Sequence, residues 1–187
     1  MKVTLVCTVL NEEATIAPLL DSILAQTRPP DEVIIVDGGS QDRTVEVLRA
    51  YQDRLPLQVL LRPGANISTG RNAAIKAATG EVIACTDAGV RLSPNWLESL
   101  AGCFERRPRP GLACGFFAAD PQTAFEAALG AATLPSLYEI DPARFLPSSR
   151  SVAFLREAWE SVGGYPEWLD YCEDLAFDFK MKRAGYS

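Results

Sequence analysis

Two apolar runs of this chain end in carboxylates. Val33, Ile34, Ile35 and Val36 form a continuous β-branched run that stops at Asp37, followed by Gly38, Gly39, Ser40 and Asp42. The stretch Glu81 to Gly89 repeats the device, with Asp87 after Thr86. A run of this kind reads as a strand buried on both faces, as in a parallel sheet. Its carboxyl end is where open α/β sheets bind ligands. The paired glycines permit a tight turn and close backbone approach. Two aspartates so placed would line one crevice and hold a nucleotide diphosphate. The alternative for Asp37 is a turn residue bonding its own backbone, and Asp42 reads mainly as the cap of a helix starting near Thr44. A third acidic group, Glu173 and Asp174, opens the last helical stretch, where the helix dipole alone favours negative charge. The sequence contains no histidine. That removes imidazole bases, Ser-His triads and histidine metal sites, so proton transfer falls to carboxylates, Lys, Tyr or Cys.

The elements that must carry these groups alternate. Val3 to Val9 reads as a first strand, and Asn11 as the cap of a helix whose apolar face is Ile16, Leu19, Leu20, Ile23 and Leu24. After Pro29-Pro30 comes the strand at Val33, completing a βαβ unit. A helix near Thr44 to Tyr51, a strand at Leu57 to Leu61, a helix from about Ser68 to Ala78 and a strand at Val82 to Thr86 follow. Beyond Asp87, Ser93-Pro94 reads as a helix start, with Trp96, Leu97, Leu100 and Phe104 on its buried side. Arg106 to Pro110 is a breaker loop, solvated or in contact with a membrane surface. Leu112 to Ala118 reads as a strand, Pro121 to Ala132 as an alanine-rich helix, and Leu134 to Arg150 as a mobile loop. A short strand at Ser151 to Phe154, a helix from Leu155 to about Val162 and a last helix from about Leu175 to Ala184 complete the pattern. Trp168 and Tyr171, just upstream of the acidic pair, either stack on a sugar ring or pack in the core. The chain finishes just after a helix stop, which suggests a fragment of a longer protein.

Composition bounds the class. A chain of 187 residues with 48% hydrophobic and 22% charged residues fits one globular domain with two lobes, large enough to bury a core. A net charge of −6 with no basic stripe argues against nucleic acid as a partner. The five cysteines show no CxxC pair, which reads as free buried thiols in a reducing compartment. No apolar run reaches membrane-spanning length, and no signal peptide precedes the first strand. There is neither GxGxxG after strand one nor GxxxxGK[ST] anywhere, which disfavours a Rossmann dehydrogenase and a P-loop NTPase. A nucleotidyltransferase would show a glycine-rich activation loop early in the chain, and none is present. A glycoside hydrolase would need two carboxylates across a cleft, which would leave the nucleotide-type first half unexplained.

Five stretches resemble, in their order, the family-2 glycosyltransferases of the GT-A fold: TVLNEE (Thr8 to Glu13), VDGGSQD (Val36 to Asp42), GRNAAI (Gly70 to Ile75), TDAG (Thr86 to Gly89) and CEDLAF (Cys172 to Phe177). The resemblance implies a Rossmann-like, mostly parallel sheet flanked by helices, with a nucleotide-sugar-binding half over 1–90 and an acceptor-binding, catalytic half over 91–187. It implies transfer of a sugar from a nucleotide diphosphate donor, a UDP-sugar by expectation, to a sugar or lipid-linked acceptor, with inversion and help from Mg²⁺ or Mn²⁺. Cell-envelope polysaccharide synthesis in the cytoplasm, at the inner face of the membrane, is the matching setting. By the same resemblance Thr8, Leu10 and Glu12 wrap the nucleotide, and Asp37 with Gly39 contacts base or ribose. Gly70, Arg71 and Asn72 lie near the donor. Asp87, after Thr86, is the metal ligand. Asp174 is the general base, with Glu173 orienting it or the acceptor. Two departures stand out: the family often has a second aspartate where this chain has Gly38, and usually has one where it has Gly89. The second leaves open a non-catalytic nucleotide-sugar-binding or scaffold domain.

Overall fold

The computed structural model describes residues 1–134, 137–141 and 145–186. Its centre is a six-stranded sheet. Strands β1 (Val3–Val9), β2 (Glu32–Asp37), β3 (Leu57–Leu61) and β4 (Val82–Thr86) run parallel in the order β3-β2-β1-β4. Strands β5 (Leu112–Cys114) and β6 (Ser151–Leu155) extend it with antiparallel pairing, β6 lying between β4 and β5. The expected α/β class and mostly parallel sheet are therefore what the chain adopts. The apolar runs explain why: β2, β4 and β6 are buried along nearly their whole length, as strands covered on both faces must be.

The described residues form seven helices, α1 (Ile16–Leu24), α2 (Thr44–Ala50), α3 (Ile67–Ala77), α4 (Trp96–Cys103), α5 (Ala124–Thr133), α6 (Arg156–Ser161) and α7 (Glu173–Arg183), of which α5 alone buries no residue. Helix α1 buries Ile16, Leu19, Leu20 and Ile23 on the stripe read from their spacing. Helix α3 lies on β1 and β2, and α4 on β4, β5 and β6. The close seat of α3 depends on Gly70, where an added Cβ would come 2.6 Å from Thr8 Cγ2. Helix α7 is anchored through Phe177, whose ring lies 5.1 Å from Phe154 on β6 and 4.4 Å from Tyr165.

Several local expectations need correction. Asn11 does not cap α1. Its φ is +55°, its side chain accepts from the Gln41 N–H at 2.8 Å, and a turn in which the Thr15 and Ile16 N–H groups bond Glu12 O delays the helix to Ile16. Ser93-Pro94 does not open α4: the Ser93 carbonyl closes a turn onto the Trp96 N–H, and the helix begins after Asn95. The strand expected over Leu112 to Ala118 ends at Cys114. Helix α5 starts at Ala124, where Thr123 and Glu126 form a capping box. All five cysteines are free, but only Cys7 and Cys85 are buried, where burial pushes both thiols well above their ordinary pKa. Of the segment read as a mobile loop, residues 137–139 form a short 3-10 turn, and residues 135, 136 and 142–144 lie outside the described set, as does residue 187.

Candidate functional site

The carboxyl ends of β1 and β2 and the start of α3 enclose a cleft of about 250 Å³, lined by Thr8, Leu10, Glu12, Gly38, Asn66 and Gly70 among others. The sheet winds outward from β1 in both directions, so this is the edge where an open α/β sheet leaves a ligand crevice. Leu10 is half exposed at its mouth. Glu12 accepts from the Thr15 hydroxyl across the first turn. Asp37, at the end of β2, is buried between Val36 and Gly38 and is not itself among the residues lining the cleft. Its Oδ1 accepts from the Gly39 and Ser40 N–H groups, each at 3.0 Å, which is the turn expected of it. Its Oδ2 is also buried and, among the described residues, has no hydrogen-bond partner, so an ordered water or a ligand donor would satisfy it. Gly39 carries a φ of +108°, so its glycine is required by the turn. At Gly38 an added Cβ would stand 3.1 Å from Ala65 O, so a side chain there would press on the loop before α3. Asp42 is not the N-cap of α2, which is Arg43; from one position earlier its carboxylate accepts from the Thr44 N–H at 3.0 Å and ties down the Glu13 N–H.

Beside the cleft, one guanidinium organises the acids. Arg71 is 2% exposed. Its Nη2 donates to Asp87 Oδ1 at 2.7 Å and its Nη1 to Glu173 Oε1 at 2.5 Å, while its Cζ lies 5.4 Å from the centre of the Tyr165 ring. Residues from the end of β4 and the start of α7 are thus drawn to one cation on α3. The fork geometry of arginine suits this, because each acid takes a separate N–H direction. Arg71 was expected at a helix start, free to meet an anion. It stands instead in the second turn of α3, because Asn66 caps the helix by accepting from the Thr69 N–H at 2.9 Å. Both its Nη groups are engaged by protein carboxylates.

Asn72 faces away from the cleft. Its amide donates to Tyr165 O and Glu167 Oε1 at 2.9 Å, and its oxygen accepts from the Tyr165 N–H at 3.0 Å and Trp159 Nε1 at 3.3 Å. It pins the segment before α7 to α3, and so holds the acidic pair in place. That segment borders a second hollow of about 480 Å³. Trp168 and Tyr171 are 81% and 83% exposed, which removes core packing as their role. Asp174 is partly exposed at the α7 start and accepts from the Leu175 N–H at 2.8 Å. Thr86 is buried, with an unpartnered hydroxyl oxygen.

Asp87 is the acidic group to weigh as a cation ligand. Its Oδ1 is taken by Arg71, and its Oδ2 has only a long contact, 3.8 Å to Arg150 Nε. Among the described residues no group of three or more His, Cys, Asp or Glu comes together to hold a metal. The free oxygen fits a divalent ion as a single protein ligand, with phosphate and water completing its shell, which is the common pattern for Mg²⁺.

Two residues of interest were missed in the sequence. Arg150 lies beside Asp87 because the antiparallel register sets Thr86 opposite Ser151. The position of Arg150 before a strand could have suggested it, but the strand's partner could not be read. Asp178 is 4% exposed on α7, with Oδ2 unpartnered. Burial, and then the charge of Asp174 one turn earlier, push its carboxyl up to about 8, opposed by Lys182 one turn later. Cys114 faces it from β5. A native pKa above the unfolded value means the folded state holds the proton, so stability is greatest below about pH 4 and is lost as pH rises towards 8. Asp178→Asn is therefore expected to match wild type at pH 5 and to exceed it at pH 8.5 by an amount on the order of 2–5 kcal/mol. Urea midpoints at the two pH values check this; an equal gap at both would show that Asp178 is ionised throughout.

Comparison with known proteins bears on the family and the fold. The family model described as Glycosyl transferase family 2 matches residues 4–159. Validoxylamine A glucosyltransferase of Streptomyces hygroscopicus subsp. limoneus is 31% identical over 94 residues, covering 48% of this chain and 21% of that protein. The crystal structure of S. aureus TarS 1-349 in complex with UDP-GlcNAc superposes with a TM-score of 0.78 at 21% identity, over 97% of this chain and 53% of that one. The mannosyltransferase PcManGT from Pyrobaculum calidifontis, in complex with GDP-Man and Mn²⁺, gives 0.78 at 24% identity, over 99% of this chain and 53% of that one. At these identities the two structures speak to the fold. The chain spans about half the length of either.

Proposed function

The chain belongs to glycosyl transferase family 2, and from that premise we propose that it forms the donor-binding and catalytic part of an inverting glycosyltransferase. It would move a sugar from a nucleotide diphosphate to an acceptor hydroxyl. The observation that carries this reading is the meeting of Asp87 and Glu173 on buried Arg71, which follows the cleft-lining Gly70 in α3. Thr8, Leu10, Glu12 and Gly70 would hold the nucleotide in that cleft, and buried Asp37, between the lining residues Val36 and Gly38, would meet base or ribose donors only once a small shift of its turn uncovers Oδ2. The complexes of the two structural relatives make UDP- and GDP-sugars the donors to test first.

In the proposed reaction Asp174 takes the proton of the acceptor hydroxyl as that oxygen attacks the anomeric carbon opposite the leaving diphosphate. The C–O bond to the diphosphate breaks as the new one forms, which inverts the centre. Arg71 offsets the charge of Asp87 and Glu173, so the two acidic groups can converge on one point. Asn72 fixes the loop that presents Asp174. Asp87 would hold Mg²⁺ or Mn²⁺ through Oδ2, and a cation bound there supplies charge to offset the departing diphosphate.

Gly89 in place of a second acidic ligand favours one other reading, a domain that binds nucleotide-sugars without turnover. The expected result is that UDP or GDP binds, that Mn²⁺ tightens binding by roughly tenfold or more, and that a donor panel yields product with one sugar. Calorimetry with and without Mn²⁺, and product analysis on the full-length protein, provide the test. Binding without product would favour the second reading, and no binding of either nucleotide would remove both. Residues 106–110 remain the segment proposed for contact with a membrane surface. Among the described residues no helix is long and apolar enough to cross a membrane.

A further inference from the structure

We propose that Arg150, and not Arg71, is the cation that grips the donor's diphosphate. The proposal rests on the donor-binding reading above and deepens it. Arg71 cannot serve that role: it is buried, and both of its Nη groups already donate to Asp87 and Glu173. A phosphate reaching it would have to displace a carboxylate from a buried charged pair, which is costly. Arg150 has the opposite properties. Its side chain is 45% exposed at the mouth of the site. Its closest charged contact is Asp87 Oδ2 at 3.8 Å, too long for a hydrogen bond, and among the described residues its guanidinium makes no hydrogen bond of ordinary length. The guanidinium is nonetheless held in place, with Cζ 5.0 Å from the centre of the Phe117 ring.

The pairing of β4 with β6 explains why an arginine at this position can act here. Thr86 lies opposite Ser151, so the residue after one strand and the residue before the other, Asp87 and Arg150, emerge side by side at the ligand edge of the sheet. A diphosphate bound against Asp87 would meet a planar, donor-rich cation with unspent N–H groups, the geometry that suits phosphate oxygens. Gly89 gives this chain no acidic side chain two residues after Asp87. A fixed positive charge from Arg150 supplies charge compensation that does not depend on a second carboxylate.

The test compares wild type, R150Q and R150K for binding of UDP and GDP by calorimetry, and of uridine and guanosine by ligand-observed NMR titration. Wild type is expected to bind one diphosphate far more tightly than its nucleoside. R150Q should lose roughly 10- to 100-fold in affinity for that diphosphate while its nucleoside affinity is unchanged. R150K, which keeps the charge but not the fork, should fall between them. Matching urea midpoints would confirm that the variants fold, as expected for a half-exposed side chain. Undiminished diphosphate binding by R150Q would overturn the role of Arg150 and leave the donor reading intact. Parallel loss of nucleoside and diphosphate binding would also overturn it, since it would mark a general distortion. Failure of wild type to bind either diphosphate would overturn the donor reading and this inference with it.

Discussion

Asp174→Asn is expected to lower the rate of sugar transfer by about 10²–10⁴-fold, the range for loss of a positioned general base. Donor affinity should stay near the wild-type value. The substitution keeps the shape of the side chain and an oxygen that can still accept from the Leu175 N–H, so the start of α7 should not move. It removes the lone pair that would take the acceptor's proton. The Glu173 carboxylate next to it is committed to Arg71 at 2.5 Å and is poorly placed to substitute. The decisive comparison is turnover against diphosphate affinity. A parallel loss of both would assign Asp174 to binding, and normal turnover would move the base elsewhere.

The second large effect is structural. Arg71→Met should destabilise the protein by about 3–5 kcal/mol, because two carboxylates lose their shared cation in a largely buried setting. In a chain of this size that corresponds to a fall in Tm of roughly 6–20 °C. Methionine fills much of the stem's volume, so the loss is mainly electrostatic. Arg71→Lys should recover only part of the loss, since an ammonium lacks the fork that separates the two acids. Thermal melts at pH 7 read both effects. A variant that melts with wild type would show that Arg71 does not unite the two halves.

The first half of the fold could be read from the chain with few errors. Strands β1, β2 and β4 are short β-branched or apolar runs bounded by turn residues, and α1 has a clean helical stripe, so burial is written into local sequence. The acidic residues at the strand ends were legible for the same reason. The later part was less so, because its structure depends on pairing between distant segments. Strand β6 was visible as a run, but its insertion between β4 and β5 was not, and that insertion is what sets Arg150 beside Asp87. Arg71 reads as an exposed first-turn residue until the position of Asn66 as the cap is known. Asp178 reads as one more polar residue on a surface helix; its burial depends on how Phe177 seats α7 against Phe154 and Tyr165. Asn72 sits in a motif that suggests ligand contact, but its amide is spent on Tyr165 and Glu167, about ninety positions away.

The separation of Arg71 from Glu173 by 102 positions also has a consequence for biosynthesis. At ribosomal speeds of roughly 5–20 residues per second, about 5–20 s pass between the emergence of one partner and the other. For most of that interval, from the emergence of Thr86 until Ser151 to Leu155 follow, β4 lacks the neighbour it will have in β6, and it offers an open apolar margin to any other nascent strand. The strand that brings Arg150 beside Asp87 is therefore the same one that closes the growing polypeptide against clumping, so chaperone demand should be highest just before Ser151 leaves the exit tunnel.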